Sequence, residues 1–325
     1  MLFRSMSELE APSLPEIRAA RERLRAIATR TPLVRLNVED APAQIHLKLE
    51  NLQPIGSFKL RGAGNAMAAA GPAALARGVW TASAGNMAQG VAWCARQRGV
   101  PCTVVMPDHA PQTKRAAVER LGARTIKVPF DAWWQTLVDR RHPGVEGVFI
   151  HPVSDRAVMA GNGTIGLEIL EDLPDVDAVV IPYGGGGLSC GIAAALRALR
   201  PQTRIYACEV ETAAPLHAAL QAGAPAPSDY RPSFVDGIGG KGVLAEMWPL
   251  ARRLLDGSLV VSLGAIAGAI RMLAERNHVV AEGAGAAPVA AGLSGRAGAG
   301  KVVCVVSGGN IDVAKLALIL QGAVP

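Results

Sequence analysis

The chain has 325 residues, half of them hydrophobic, 18% charged, with a net charge of +6. That size and composition describe a globular protein with a large core and two domains, and no apolar run reaches the eighteen residues a membrane span needs. The arginine excess is scattered, without the basic and aromatic interleaving of a nucleic-acid surface, so nucleic acid is set aside and small anionic ligands are the expected partners.

Met1–Ser13 contains no apolar segment of the secretory kind, so we expect a loosely ordered leader on a cytoplasmic protein. Beyond it, short β-branched runs alternate with alanine-rich stretches. Strands are expected at 79–82, 103–106, 125–128, 148–151, 178–182, 205–210, 259–263 and 302–306. Helices are expected near 14–28, 60–70, 87–98, 112–122, 161–172, 187–199, 264–276 and 310–321. Nearly continuous apolar strands alternating with helices predict an α/β fold, its sheets parallel and covered on both faces.

In such sheets ligands gather at the carboxyl ends of strands. Three unusual turns stand at such ends: Ser83-Ala84-Gly85-Asn86, Gly184-Gly185-Gly186-Gly187 and Ser307-Gly308-Gly309-Asn310. The glycine run, followed by Leu188 and a helix, is suited to cradle a phosphate, because bare backbone amides and a helix N-terminus attract an anion. Close packing alone is the other explanation. A dinucleotide fingerprint fails at its third glycine, where Ser189 or Cys190 stands, and Gly240-Lys241-Gly242 does not complete a Walker loop.

Lys59 is one of only seven lysines and lies in Gly56-Ser57-Phe58-Lys59-Leu60-Arg61-Gly62. Sheltered in an apolar site, its amine would shed a proton and become a nucleophile towards an aldehyde. The alternative is a helix-start lysine that reaches solvent along its stem. The five cysteines lie in apolar stretches without a Cys-x-x-Cys pair and are expected as buried free thiols. The six histidines show no metal-binding i, i+4 pair, and no metal is expected.

Six segments occur in one order: KLENLQPIGSFKLRG at 48–62, SAGNMAQG at 83–90, AGNGTIGLE at 160–168, GGGGL at 184–188, EGAGA at 282–286 and SGGN at 307–310. In this the chain resembles the threonine dehydratase/serine racemase family of fold-type II pyridoxal phosphate enzymes. The resemblance implies two three-layer α/β domains with the active site between them. The larger would hold residues 1–75 and 152–325, and the smaller, mobile one residues 76–151. It also implies a homodimer acting on a small amino acid, with pyridoxal 5'-phosphate as cofactor. No length for a regulatory domain is expected after Asn310.

By the same resemblance Lys59 would carry the cofactor as a Schiff base, with Phe58 beside it. Asn86 would bond its phenolic oxygen, Gly184, Gly185, Gly186, Gly187 and Leu188 its phosphate, and Ser307 its pyridine nitrogen. Gly237 would admit the flat ring. Glu282 would bond around the cofactor, or serve as an acidic partner for the following helix. Ser83, Ala84, Gly85, Asn86 and Met87 would receive the substrate carboxylate. A hydroxyl at the pyridine nitrogen makes a moderate electron sink, which suits expulsion of a β-hydroxyl to give a 2-oxo acid and ammonia. Racemisation and β-replacement are the alternatives.

Four departures and neighbours bear on this. Racemases of the family place a serine where Ala84 stands, and a methyl cannot carry a proton. Met87 replaces the usual histidine, either enlarging the pocket for an aryl group such as that of phenylserine or drifting without effect. Glu211, with Glu209 nearby, lacks the further oxygen ligands a hard cation needs. Glu168 is expected to be structural, against an amide or an arginine, and Trp133-Trp134 to be packing residues.

Overall fold

The computed structural model describes residues 9–110 and 112–325. Most of the expected leader, residues 1–8, lies outside the described residues. From Leu14 the chain is helical. The Ser13 hydroxyl caps the helix, and Glu16 accepts from the Ser13 amide at 2.7 Å, a reciprocal arrangement that satisfies otherwise orphaned donors.

In chain order the strands are β1 (Leu33–Arg35), β2 (Gln44–Leu49), β3 (Val79–Ala82), β4 (Cys102–Pro107), β5 (Arg124–Val128), β6 (Val148–Phe149), β7 (Ala178–Pro182), β8 (Arg204–Val210), β9 (Gly257–Val261) and β10 (Lys301–Val306). They form a six-stranded sheet of order β1-β2-β10-β7-β8-β9 and a four-stranded sheet of order β5-β4-β3-β6. Among these strands only the β1–β2 pairing is antiparallel. The eight expected strands are all present. β1 and β2 were not expected, because His46 and Lys48 interrupt the apolar run of β2.

Alternation along the strands builds two cores on the six-stranded sheet. Val302, Cys304 and Val306 join Ala178 and Val180 beneath the helices Leu263–Met272 and Gly283–Leu293. Val303 and Val305 join Val179 and Ile181 on the opposite face, beneath Gly187–Leu199 and Trp248–Leu254. Both faces are therefore dry, as parallel strands require. Gly283–Leu293 was not expected as a helix; its glycines and Pro288 in GAGAAPVAAGL disguise it, yet nearly every residue is buried. Phe130–Asp139 and Pro215–Ala222 are further helices that the sequence pattern left unassigned.

The helix Lys59–Leu75 lies between the layers. Its Leu60, Ala63 and Met67 belong to the core of the four-stranded sheet, although they fall within the larger of the two expected domains. Its other side meets the helix Arg156–Asp172 closely: a Cβ on Gly161 would stand 2.3 Å from the Arg61 carbonyl oxygen. Among the described residues no helix is long and apolar enough to cross a membrane. All five cysteines are free and buried, and burial pushes the thiols of Cys94, Cys102 and Cys190 up to about 12.

Candidate active site

Lys59 opens its helix, held there by two backbone contacts. The Phe58 amide donates to the Ser307 carbonyl at 3.0 Å, and Ser57 bridges Gly308 in antiparallel sense. Lys59 is thus beside the carboxyl end of β10. Its Nζ donates to the Pro152 carbonyl at 3.0 Å and stands 5.1 Å from the centre of the Phe58 ring. Burial lowers its pKa to about 8, against the opposing charge of Glu282. The amine therefore exchanges its proton close to neutrality.

The Pro152 turn also touches the glycine run. A Cβ on Gly185 would meet Val153 Cγ2 at 2.6 Å, and one on Gly187 would meet the Val153 carbonyl oxygen at 2.7 Å. Gly186 adopts φ +98°, where an L side chain is strained, and its helix Gly187–Leu199 begins without a side-chain cap. The run therefore leaves helix-end N–H groups for an anion. His151 holds the turn: its Nδ1 accepts from the amides of Val153 at 3.1 Å and Ser154 at 2.8 Å. Burial, with Arg140 and Lys59 adding to it, lowers this imidazole to about 3, so it is neutral.

Ser83 to Met87 join β3 to the helix Asn86–Arg98, which also starts without a side-chain cap. The Gly85 amide donates to Ser83 Oγ at 3.3 Å, bending that hydroxyl back onto its own loop. Space beside the Gly85 Cα is open, and Ala84 lies partly buried against the four-stranded core. Met87 is 2% exposed, in the same apolar cluster as Ile55 and Leu60. Asn86 reaches the other layer, donating from Nδ2 to Glu282 Oε1 at 2.8 Å.

Glu282 is buried, and burial followed by Asp236 raises its pKa to about 7, while Asn86, Lys114 and Lys59 pull it down. It stands at the N-terminus of Gly283–Leu293 but makes no side-chain cap there. Gly237 is near it: a Cβ there would meet Ala284 Cβ at 2.8 Å and Glu282 Oε1 at 3.4 Å. Asp236–Gly240, expected at a strand end, is a loop. Ser307 is buried where β10 ends, and Leu188 is buried in the first turn of its helix.

Glu168 meets the arginine expected of it. Arg61 pairs with Glu168 at 2.7 Å and Glu50 at 2.8 Å, and Lys48 closes the cluster on Glu168 at 2.5 Å. Glu209 accepts from the amides of Leu216 and His217, each at 2.8 Å, and Glu211 from the Leu263 amide at 2.7 Å. Among the described residues no group of three or more His, Cys, Asp or Glu side chains converges as metal ligands. Trp133 and Trp134 lie with ring centres 6.3 Å apart, Trp134 being 43% exposed.

Residues that sequence reasoning did not select are His151, Pro152, Val153, Asn310 and Lys114. For His151 and Pro152 the one available signal was their place at the end of an expected strand. Asn310 was seen only as the last letter of a motif.

The family model described as pyridoxal-phosphate dependent enzyme matches residues 24–308. The chain belongs to the pyridoxal-phosphate dependent enzymes. Among its relatives, L-threonine ammonia-lyase of Geobacter sulfurreducens is 42% identical over 311 residues, covering 94% of this chain and 77% of that one. The structure of maize serine racemase superposes with a TM-score of 0.88 at 32% identity, covering 96% of this chain and 98% of that one. The processed form of threonine deaminase isoform 2 from Solanum lycopersicum superposes with a TM-score of 0.83 at 30% identity, covering 96% and 95%. The fold is that of the fold-type II members of this family.

The residues present fit the cofactor of a pyridoxal-phosphate dependent enzyme. A lysine amine of lowered pKa adjoins a glycine loop in which a Cβ at Gly185 or Gly187 finds no room. Beside them the buried Ser57 hydroxyl has no hydrogen-bond partner among the described residues.

Proposed function

We propose that this chain is a pyridoxal phosphate-dependent dehydratase that removes water and then ammonia from a β-hydroxy-α-amino acid, leaving a 2-oxo acid. The observation that carries the reading is Lys59: an enclosed amine of lowered pKa, on a segment tied to Ser307 and against the turn that packs on the glycine run. The relatives named for threonine ammonia-lyase support the reaction class.

The cofactor, when bound, supplies an electron sink that acidifies the substrate α-carbon. Lys59 would hold it, and Lys59 Nζ would take and return the proton at that carbon. Gly184 to Leu188 would bind its phosphate with backbone amides, Phe58 and Gly237 would bracket the ring, and Ser307 would face the pyridine nitrogen. The uncapped start of Asn86–Arg98, with Ser83 to Met87, would receive the substrate carboxylate. The four-stranded layer, residues 76–151, would close over it as a small domain against residues 1–75 and 152–325.

Two observations favour dehydration over racemisation. The Ala84 methyl carries no proton, and the neighbouring Ser83 hydroxyl is engaged with the Gly85 amide. For the substrate, the burial of Met87 among Ile55 and Leu60 spends its volume on the core, so we place serine and threonine ahead of phenylserine. We also propose a homodimer. The helix Val313–Leu320 leaves Val313 80% exposed, with Leu318 and Leu320 uncovered beside it, an apolar face that a second copy would cover.

The test is release of 2-oxo acid from threonine, serine and phenylserine by the wild type and by Lys59→Ala. Turnover of threonine or serine that Lys59→Ala abolishes supports the reading. Turnover that survives the substitution, or scrambling of α-carbon configuration without release of oxo acid, overturns it.

A further inference from the structure

Asn86 is gripped from two sides, and the direction of the grip is decided by chemistry. Asn310 Nδ2 donates to the Ile55 carbonyl at 2.9 Å and to Asn86 Oδ1 at 2.8 Å. Asn86 Nδ2 in turn donates to Glu282 Oε1 at 2.8 Å. A peptide carbonyl only accepts, so the Asn310 atom facing Ile55 has to be its NH2 group. The same NH2 faces Asn86, which therefore presents its oxygen there and its own NH2 towards Glu282. One N–H of Asn86 is thereby committed to Glu282 and the second is left for another acceptor.

Neither gripping residue has room to turn away. The Asn310 Oδ1 lies 2.7 Å from where a Cβ on Gly56 would stand, and Gly56 has φ +71°. Glu282 Oε1 lies 2.5 Å from the corresponding point on Gly308. The three side chains also come from different parts of the fold. Asn86 begins a helix packed on the four-stranded sheet, whereas Asn310 follows β10 and Glu282 begins Gly283–Leu293 on the six-stranded sheet.

We infer that Asn310 and Glu282 are positioning residues which orient the Asn86 amide, so that its N–H rather than its carbonyl oxygen faces the phenolic oxygen of the cofactor. The inference rests on the proposed roles of Lys59 and Asn86. A freely rotating asparagine would offer its oxygen to that phenolate as readily as its N–H, and two acceptors in contact repel. The relay begun at the Ile55 carbonyl removes that state.

The experiment measures pyridoxal phosphate affinity and the wavelength of the bound cofactor's absorption band in wild type, Asn86→Ala, Asn310→Asp, the Asn86→Ala/Asn310→Asp double variant and Lys59→Ala. Asn310→Asp keeps the shape and replaces the donor by an acceptor, so the Asn86 amide should turn over. The expected results are a Kd for the cofactor raised about tenfold, a displaced band, and no additional displacement in the double variant. An unmoved band in Asn310→Asp, or displacements that simply add, overturn the relay. If the band then disappears in Lys59→Ala, the cofactor assignment still stands; a band indifferent to Lys59→Ala overturns both. Should Asn310→Asp not fold, the Glu282 pair decides. Glu282→Gln retains an acceptor for Asn86 and should keep the band, Glu282→Leu should displace it, and equal bands in the two count against the relay.

Discussion

Lys114 Nζ and Asp236 Oδ2 meet at 2.5 Å, tying the helix Gln112–Arg120 beside the four-stranded sheet to the loop that leads into Gly237. Both side chains are partly exposed, so the pair contributes about 0.2–1 kcal/mol by itself. Its larger consequence is for Glu282, whose proton affinity Asp236 raises and Lys114 lowers. Lys114→Ala should move the Glu282 titration upward and Asp236→Asn downward, each by roughly a few tenths of a pH unit. Carboxyl-carbon NMR of labelled glutamate follows it, and shifts of the same sign would refute the coupling.

The buried cluster of Lys48, Glu50, Arg61 and Glu168 is predicted to be a stability element. Burial pushes the Glu50 carboxyl up, and Arg61 more than reverses that, leaving it below its usual value. Arg61→Met would leave Glu50 and Glu168 facing each other in the interior, with Lys48 alone to balance them. The expected loss in urea unfolding is about 3–5 kcal/mol. A loss below about 1 kcal/mol would show the cluster to be dispensable.

Two buried groups act in opposite directions on the acid stability of the cofactor-free protein. His151 has a folded pKa near 3, below its ordinary 6.5, so its contribution is whole above pH 6.5 and falls as pH drops towards 3. Glu282 has a folded pKa near 7, above its ordinary 4.5, so its contribution is whole below pH 4.5 and falls as pH rises through 7. Each limiting slope is about 1.4 kcal/mol per pH unit, and between 4.5 and 6.5 the two offset one another. Removing the opposing contribution, Glu282→Gln should lose stability steeply as pH falls through that window, where the wild type stays level. Parallel curves would contradict the assignment.

At the glycine run, the identity of the clashing atom decides what can be rescued. Gly185→Ala meets the Val153 side chain, whereas Gly187→Ala meets the Val153 backbone. Both should weaken cofactor binding about tenfold or more, which is about 1.4 kcal/mol. Adding Val153→Ala should restore affinity to Gly185→Ala and leave Gly187→Ala impaired. Equal rescue in both would place the strain elsewhere.

The interior strands need no partner to be recognised: Val179, Val180 and Ile181, or Val302, Val303 and Val305, are apolar on both faces wherever they lie in the sheet. The strand Gln44–Leu49 was hidden because Lys48 is charged, and its burial makes sense only once Glu168, 120 residues away, is beside it. The helix Gly283–Leu293 was hidden for a related reason. Its glycines and proline form a poor helix in isolation, and packing on β7 and β10 supplies what intrinsic propensity lacks.

The amino-acid sequence alone determined the alternation of strands and helices, the ligand turns at strand ends and the candidacy of Lys59, because each depends on residues adjacent along the chain. Only the folded protein decided that Pro152 receives the Lys59 amine, that Met87 turns into a core, and that Asn310, Asn86 and Glu282 form one directed relay. Those relations depend on which side chains share a dry space and which atom of each can donate, and residues far apart in the chain acquire them only when the two sheets come together.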